Sequence, residues 1–153
     1  MSQAEDRLRE KGLELPSRPS PMANYVGAVR TGNLVFLSGH GPTRDGKLTY
    51  QGKVGQDLDV ETGYQAAQLV MLNLLATLKA EIGDLDRVKR VVKLLGMVNS
   101  APDFGQQPEV INGASDLLVE VFGERGRHAR SAVGMAGLPR NISVEIEMIV
   151  EVE

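Results

Sequence analysis

Two segments of this chain are apolar in both alternating registers. Leu34-Val35-Phe36-Leu37 has no polar position, and in Val88 to Val98 the residues Val91, Leu95 and Met97 fall on one side while Val92, Leu94 and Val98 fall on the other. A strand that faces water alternates, so a strand apolar on both sides has to be covered on both. The sheet that contains these strands therefore needs a layer on each face. Helices can supply one layer. From Asp59, a residue suited to an N-cap, to Gly83, a residue suited to a helix stop, Tyr64, Ala67, Met71, Leu74, Leu75, Leu78 and Ile82 recur at the spacing of a single helical face. A second helix is expected over Val110 to Phe122, with Pro108 in its first turn and Gly123 at its end.

The remaining elements are shorter. Tyr25 to Val29 and Asn33 to Ser38 read as strands around a tight turn, and Lys47 to Tyr50 as an edge strand after the Asp45-Gly46 turn. Ser131 to Ala136 and Ser143 to Val152 read as a closing hairpin around Gly137 to Asn141. Ser2 and Glu5 have capping-box spacing, so Gln3 to Lys11 is expected to be a helix, followed by an extended connector over Leu15 to Pro21. The predicted organisation is an N-terminal segment, residues 1–23, and one domain, residues 24–153. That domain is α+β in the order β-β-α-β-α-β-β, one mixed sheet with two helices packed on one face. A second copy of the chain is the economical cover for the other face.

Composition narrows the chemistry. The 153 residues include no Cys and two His, which leaves no disulfide, no thiolate nucleophile and no histidine-rich or cysteine metal centre. A net charge of -3 disfavours binding to nucleic acid, and no run is long enough to span a membrane. The N-terminus lacks the pattern of a secretory signal, so a cytoplasmic location is expected.

The stretch Arg127-His128-Ala129-Arg130-Ser131-Ala132-Val133-Gly134 carries the most information. Along a strand, Arg130, Ala132 and Gly134 share a side. In the last strand Glu145 and Glu147 alternate with Val144, Ile146 and Met148. If these strands form a hairpin with 136 opposite 143, Arg130 and Glu145 share a face roughly 13 Å apart, with a shelf of Ala132 and Gly134 between them. An arginine fork is matched to a carboxylate. That geometry would suit capture of a small carboxylic acid, with Glu145 handling a proton or a water. From spacing alone a surface ion pair at Arg130 is the commoner arrangement, as are turn chemistry at Ser38, Gly39 and His40 and local hydrogen bonding at Asn112, and Tyr25 can simply pack.

Ala129-Arg130-Ser131-Ala132-Val133, then Leu138-Pro139 and Val144-Glu145-Ile146, resembles the C-terminal signature of the Rid family of enamine and imine deaminases, also called the YjgF family and formerly the L-PSP endoribonucleases. Tyr25, Leu37-Ser38-Gly39 and Asn112 extend the likeness from about Asn24 to the C-terminus. The resemblance implies a chorismate-mutase-like fold and a homotrimer with sites between subunits. It implies Arg130 as carboxylate clamp and Glu145 as the catalytic carboxylate, with Tyr25, Ser38, Gly39, Asn112 and Ala132 in the pocket. The implied reaction is hydrolysis of 2-imino and 2-enamino acids to 2-keto acids and ammonia, with no metal and no organic cofactor. A regulatory protein that binds a 2-keto acid without turnover is the alternative. Ribonuclease action is disfavoured by the acidic balance and the lack of a His pair. The chain departs from the family pattern at His128, where proline is common, at Ala132, where many members have cysteine, at Gly41, in a longer 99–108 loop and in the extension Ser2 to Pro21.

Overall fold

A computed structural model describes residues 2–21 and 23–153, so Met1 and Met22 of the expected N-terminal segment lie outside the described residues. The elements in chain order are α1 (Gln3–Glu10), β1 (Ala28–Thr31), β2 (Leu34–His40), β3 (Thr43–Arg44), β4 (Lys47–Leu48), α2 (Val60–Ile82), β5 (Val88–Asn99), α3 (Gln107–Phe122), β6 (Ala129–Met135) and β7 (Val144–Val152). Five strands form one mixed sheet in the order β1-β2-β7-β5-β6, and β3 pairs with β4 in a separate ribbon. Every pairing in the large sheet is antiparallel except β5 with β6. The fold is the expected α+β arrangement of a mixed sheet with α2 and α3 on one face.

Local chemistry sets the helix ends. The Asp59 carboxylate accepts from the Thr62 N–H at 2.8 Å, and at the far end Gly83 adopts a φ of 89° while its N–H returns to the Lys79 carbonyl. Between these caps, Met71, Leu74, Leu75 and Leu78 are fully buried against the sheet, each contributing roughly 1.5–3 kcal/mol of burial. Ser2 caps α1 through the Glu5 N–H at 3.0 Å, and the Asp86 carboxylate accepts from the Gln3 and Ala4 N–H groups at 2.8 and 3.1 Å. With Ala4 and Leu8 buried, α1 shares the main core.

The expected hairpin of the last two strands does not form. β5 lies between β6 and β7, pairing parallel with the first (Leu94 opposite Arg130, Met97 opposite Val133) and antiparallel with the second (Leu94 opposite Met148, Met97 opposite Glu145). The reason is twofold. A twelve-residue strand apolar on both sides gains most as a central strand. The link from β6 to β7 carries Pro139 and then Arg140 and Asn141 at φ of 54° and 57°, a turn that leads the chain away rather than folding it back. Register shifts within β5, between 88 and 90 and between 91 and 93, also put Val91 and Leu94 on the same buried side, which strict alternation did not predict. The Lys47 to Tyr50 strand shrinks to β4 and pairs in the ribbon, not at the edge of the large sheet.

The face of the sheet opposite the helices is open in a single chain. A row of Val29, Phe36 and Ile149 runs across it, and Val29, Phe36 and Val133 are 54%, 41% and 38% exposed. Among the described residues no helix is long and apolar enough to cross a membrane.

Candidate active site

The topology divides the residues singled out in the sequence into two groups. On the open face, Glu145 lies in a cavity of about 550 Å3 whose walls include Tyr25, Ser38, Gly39 and the connector residues Pro19, Ser20 and Pro21. On the helix-covered face, at the sheet edge, Arg130 leans on α3. The two side chains start from opposite faces, three residues apart along β5 and two strands apart across it, roughly 14 Å between backbones. The shared shelf expected between them does not exist within one chain. Ala132 keeps to the side of Arg130, beside Gly96, and packs on the core.

A β-bulge builds the Glu145 side. Between Leu37, opposite Met148, and His40, opposite Ile146, β2 has one residue more than β7. His40 holds the bulge: its Nδ1–H donates to the Ser38 carbonyl at 2.6 Å, and its Nε2 accepts from the Thr77 hydroxyl of α2 at 2.8 Å. Burial pushes the His40 pKa below its usual value, which keeps the ring neutral. The Ser38 hydroxyl donates to the Val26 carbonyl at 2.6 Å and so ties β2 to the segment after Tyr25. At Gly39 a Cβ would overlap Oε2 of Glu145, so only glycine lets the carboxyl lie against the bulge. The Glu145 carboxyl has its pKa raised, first by burial and then by the charge of Glu147.

Helix α3 builds the Arg130 side. Pro108, Asn112 and Ser115 follow one another at four and three residues, a single stripe of the helix. Arg130 spans this stripe, donating from Nη1 to the Ser115 hydroxyl at 3.0 Å and from Nη2 to the Pro108 carbonyl at 3.2 Å, which places Asn112 on the same surface. Among the described residues no carboxylate pairs with Arg130, which removes the surface ion pair as an account of it. The position of α3 is set by Gly113, where a Cβ would overlap the Tyr64 carbonyl of α2.

Three contributors were not singled out in the sequence reading: Ser115, the Pro108 carbonyl and the Pro19 to Pro21 wall. Ser115 had one legible signal, its place one turn after Asn112. The wall had none, because its proximity to Glu145 depends on where the docked α1 releases the chain.

Comparison with known proteins agrees with this architecture. The family model described as "YjgF/chorismate mutase-like, putative endoribonuclease" matches residues 5–152. The crystal structure of Atu1372 from Agrobacterium tumefaciens, described as of unknown function, superposes with a TM-score of 0.93 at 50% identity, covering 99% of this chain and 93% of that one. Protein TCP17 of Trypanosoma cruzi is 46% identical over 94% of this chain and 91% of its own length. The 2-iminobutanoate/2-iminopropanoate deaminase of Dermatophagoides farinae is 30% identical over 92% and 95%. The chain belongs to the YjgF family, which includes the Rid proteins.

Proposed function

We propose that this protein hydrolyses 2-imino and 2-enamino acids to 2-keto acids and ammonia, at sites completed when a second copy brings its Arg130 side against the Glu145 side of the first. The name of the Dermatophagoides relative supports the reaction class. The observation that carries the reading is the absence, among the described residues, of a counter-charge on Arg130: a guanidinium tethered to α3 at two points with donors to spare suits an incoming carboxylate. The exposed apolar residues Val29, Phe36 and Val133 support assembly through the open face, and a cyclic homotrimer gives each copy both roles.

In this mechanism the substrate carboxylate binds Arg130 and the protonated C=N carbon faces a water beside Glu145. Glu145 takes a proton from the water as its oxygen bonds to C2 and returns that proton to nitrogen. The C–N bond then breaks as the hydroxyl proton passes to the Glu145 carboxylate, leaving the ketone and ammonia, which departs as ammonium with that proton. A carboxyl with a raised pKa holds a proton closer to neutral pH, which favours this exchange in both directions. The test couples the purified protein to a dehydratase that releases the imine of threonine or serine. Faster keto-acid release, lost in Arg130→Ala, is the expected result; no acceleration with any amino-acid-derived imine would refute the reading.

A further inference from the structure

Arg130 is the start of a longer chain of hydrogen bonds. The Ser115 hydroxyl that accepts from Arg130 Nη1 at 3.0 Å also lies 2.8 Å from His128 Nε2, and His128 Nδ1 lies 2.6 Å from the Gly126 carbonyl. A carbonyl only accepts, so Nδ1 carries the proton and Nε2 is the acceptor. The Ser115 O–H therefore donates to Nε2, and its lone pairs turn toward Arg130. Every link then has one direction: Arg130 to Ser115, Ser115 to His128, His128 to Gly126. The root is fixed, because Gly126 packs so closely under α3 that a Cβ would overlap the Leu118 carbonyl.

We infer that His128 is a positioning residue that, through the Ser115 hydroxyl, fixes the plane of the Arg130 guanidinium for carboxylate binding. The inference rests on the role proposed for Arg130. Without His128, the Ser115 hydroxyl can rotate and donate elsewhere, and Nη1 loses an oriented acceptor; the Pro108 carbonyl alone leaves the fork free to turn. Two anchors taken from the five N–H donors leave three for a ligand, already held in one plane, and such preorganisation acts on affinity. Burial, with a smaller contribution from the Arg130 charge, lowers the His128 pKa, so the neutral ring that the relay needs is the favoured form.

The experiment measures binding of 2-oxobutanoate by calorimetry, together with KM and kcat in the coupled assay, for the full chain and for Ser115→Ala, Ser115→Thr, His128→Ala and Arg130→Ala. Expected are a Kd and KM raised about tenfold in Ser115→Ala and His128→Ala with kcat within about twofold, and recovery in Ser115→Thr, which keeps the hydroxyl. Unchanged Kd in both variants, beside a loss of binding in Arg130→Ala, overturns the inference and leaves the reading of Arg130 standing. Unchanged binding in Arg130→Ala, or none by the parent protein, overturns the reading itself. Nitrogen NMR of 15N-histidine-labelled parent protein serves if the variants misfold: a neutral His128 protonated at Nδ1, with an Nε2 resonance that moves on addition of 2-oxobutanoate, supports the relay. A proton on Nε2, or an unmoved resonance, overturns it.

Discussion

The Glu145 and Arg130 sides of the candidate site are built on different principles. The Glu145 side is made of backbone exceptions: a bulge in β2, a glycine where a side chain would collide, and a buried histidine that bonds a main-chain carbonyl. The Arg130 side is made of regular structure, one helical stripe facing one strand of ordinary geometry, and its specificity lies in side-chain hydrogen bonds. A carboxyl whose proton affinity must be raised has to be enclosed, and enclosure is a matter of backbone placement. A guanidinium that must receive an anion has to be presented, and presentation needs only anchors behind it. The two sides are also unlike in what surrounds them, a walled cavity against an exposed edge.

Mixing variants breaks the comparison most directly. Arg130→Ala is expected to lower kcat/KM by about 100-fold or more, as loss of a charge-assisted pair would, and Glu145→Gln to be similarly impaired. Co-refolded at equal amounts, the two should regain about a quarter of the parent activity if the subunits form cyclic trimers, because mixed trimers each rebuild one site from two intact sides. No recovery would mean that both sides serve the same chain. Gly113→Ala probes the helical side: the added methyl meets the α2 backbone at Tyr64, and a loss of about 1–3 kcal/mol in chemical denaturation is expected, against the gain that alanine normally gives within a helix.

Gly39→Ala probes the other side. Its methyl would push the Glu145 carboxyl, the movable end of a side chain, so stability should change little while kcat falls about 10- to 100-fold. The smallest effect is on stability. The folded-state pKa of Glu145 is raised, so its contribution is complete below the ordinary glutamate pKa of 4.5 and is lost as pH rises through the folded value. Glu145→Gln should therefore melt a few degrees higher than the parent at pH 7, and the two should converge below pH 4.5; equal melting temperatures at both pH values would show that the carboxyl is not strained by its enclosure.

The same contrast explains what could be read from the sequence. Helix α2 was legible to the residue because Asp59 and Gly83 act locally, and the doubly apolar Leu34 to Leu37 and Val88 to Val98 correctly marked inner strands of a sheet with one face unclosed by the chain itself. Arg130, Ala132 and Gly134 do share a side. Pairing was not legible, since hairpin logic favours strands that are neighbours in sequence, whereas β6 joins β5 in parallel across α3. That single error moved Arg130, Ala132 and Gly134 to the wrong face, while Glu145 does lie on the side away from Val144 and Ile146. The contact between His128 and Ser115 was not legible either: thirteen residues separate them, and only the return of the chain after Gly126 brings the ring over the helix.

The connector that walls the cavity has a consequence for conformational entropy. Pro16, Pro19 and Pro21 each hold φ near one value before the chain folds, so less disorder is surrendered when the segment settles beside Glu145. A ligand entering there meets a boundary that is already stiff, and little of its binding free energy has to be spent on ordering the protein around it.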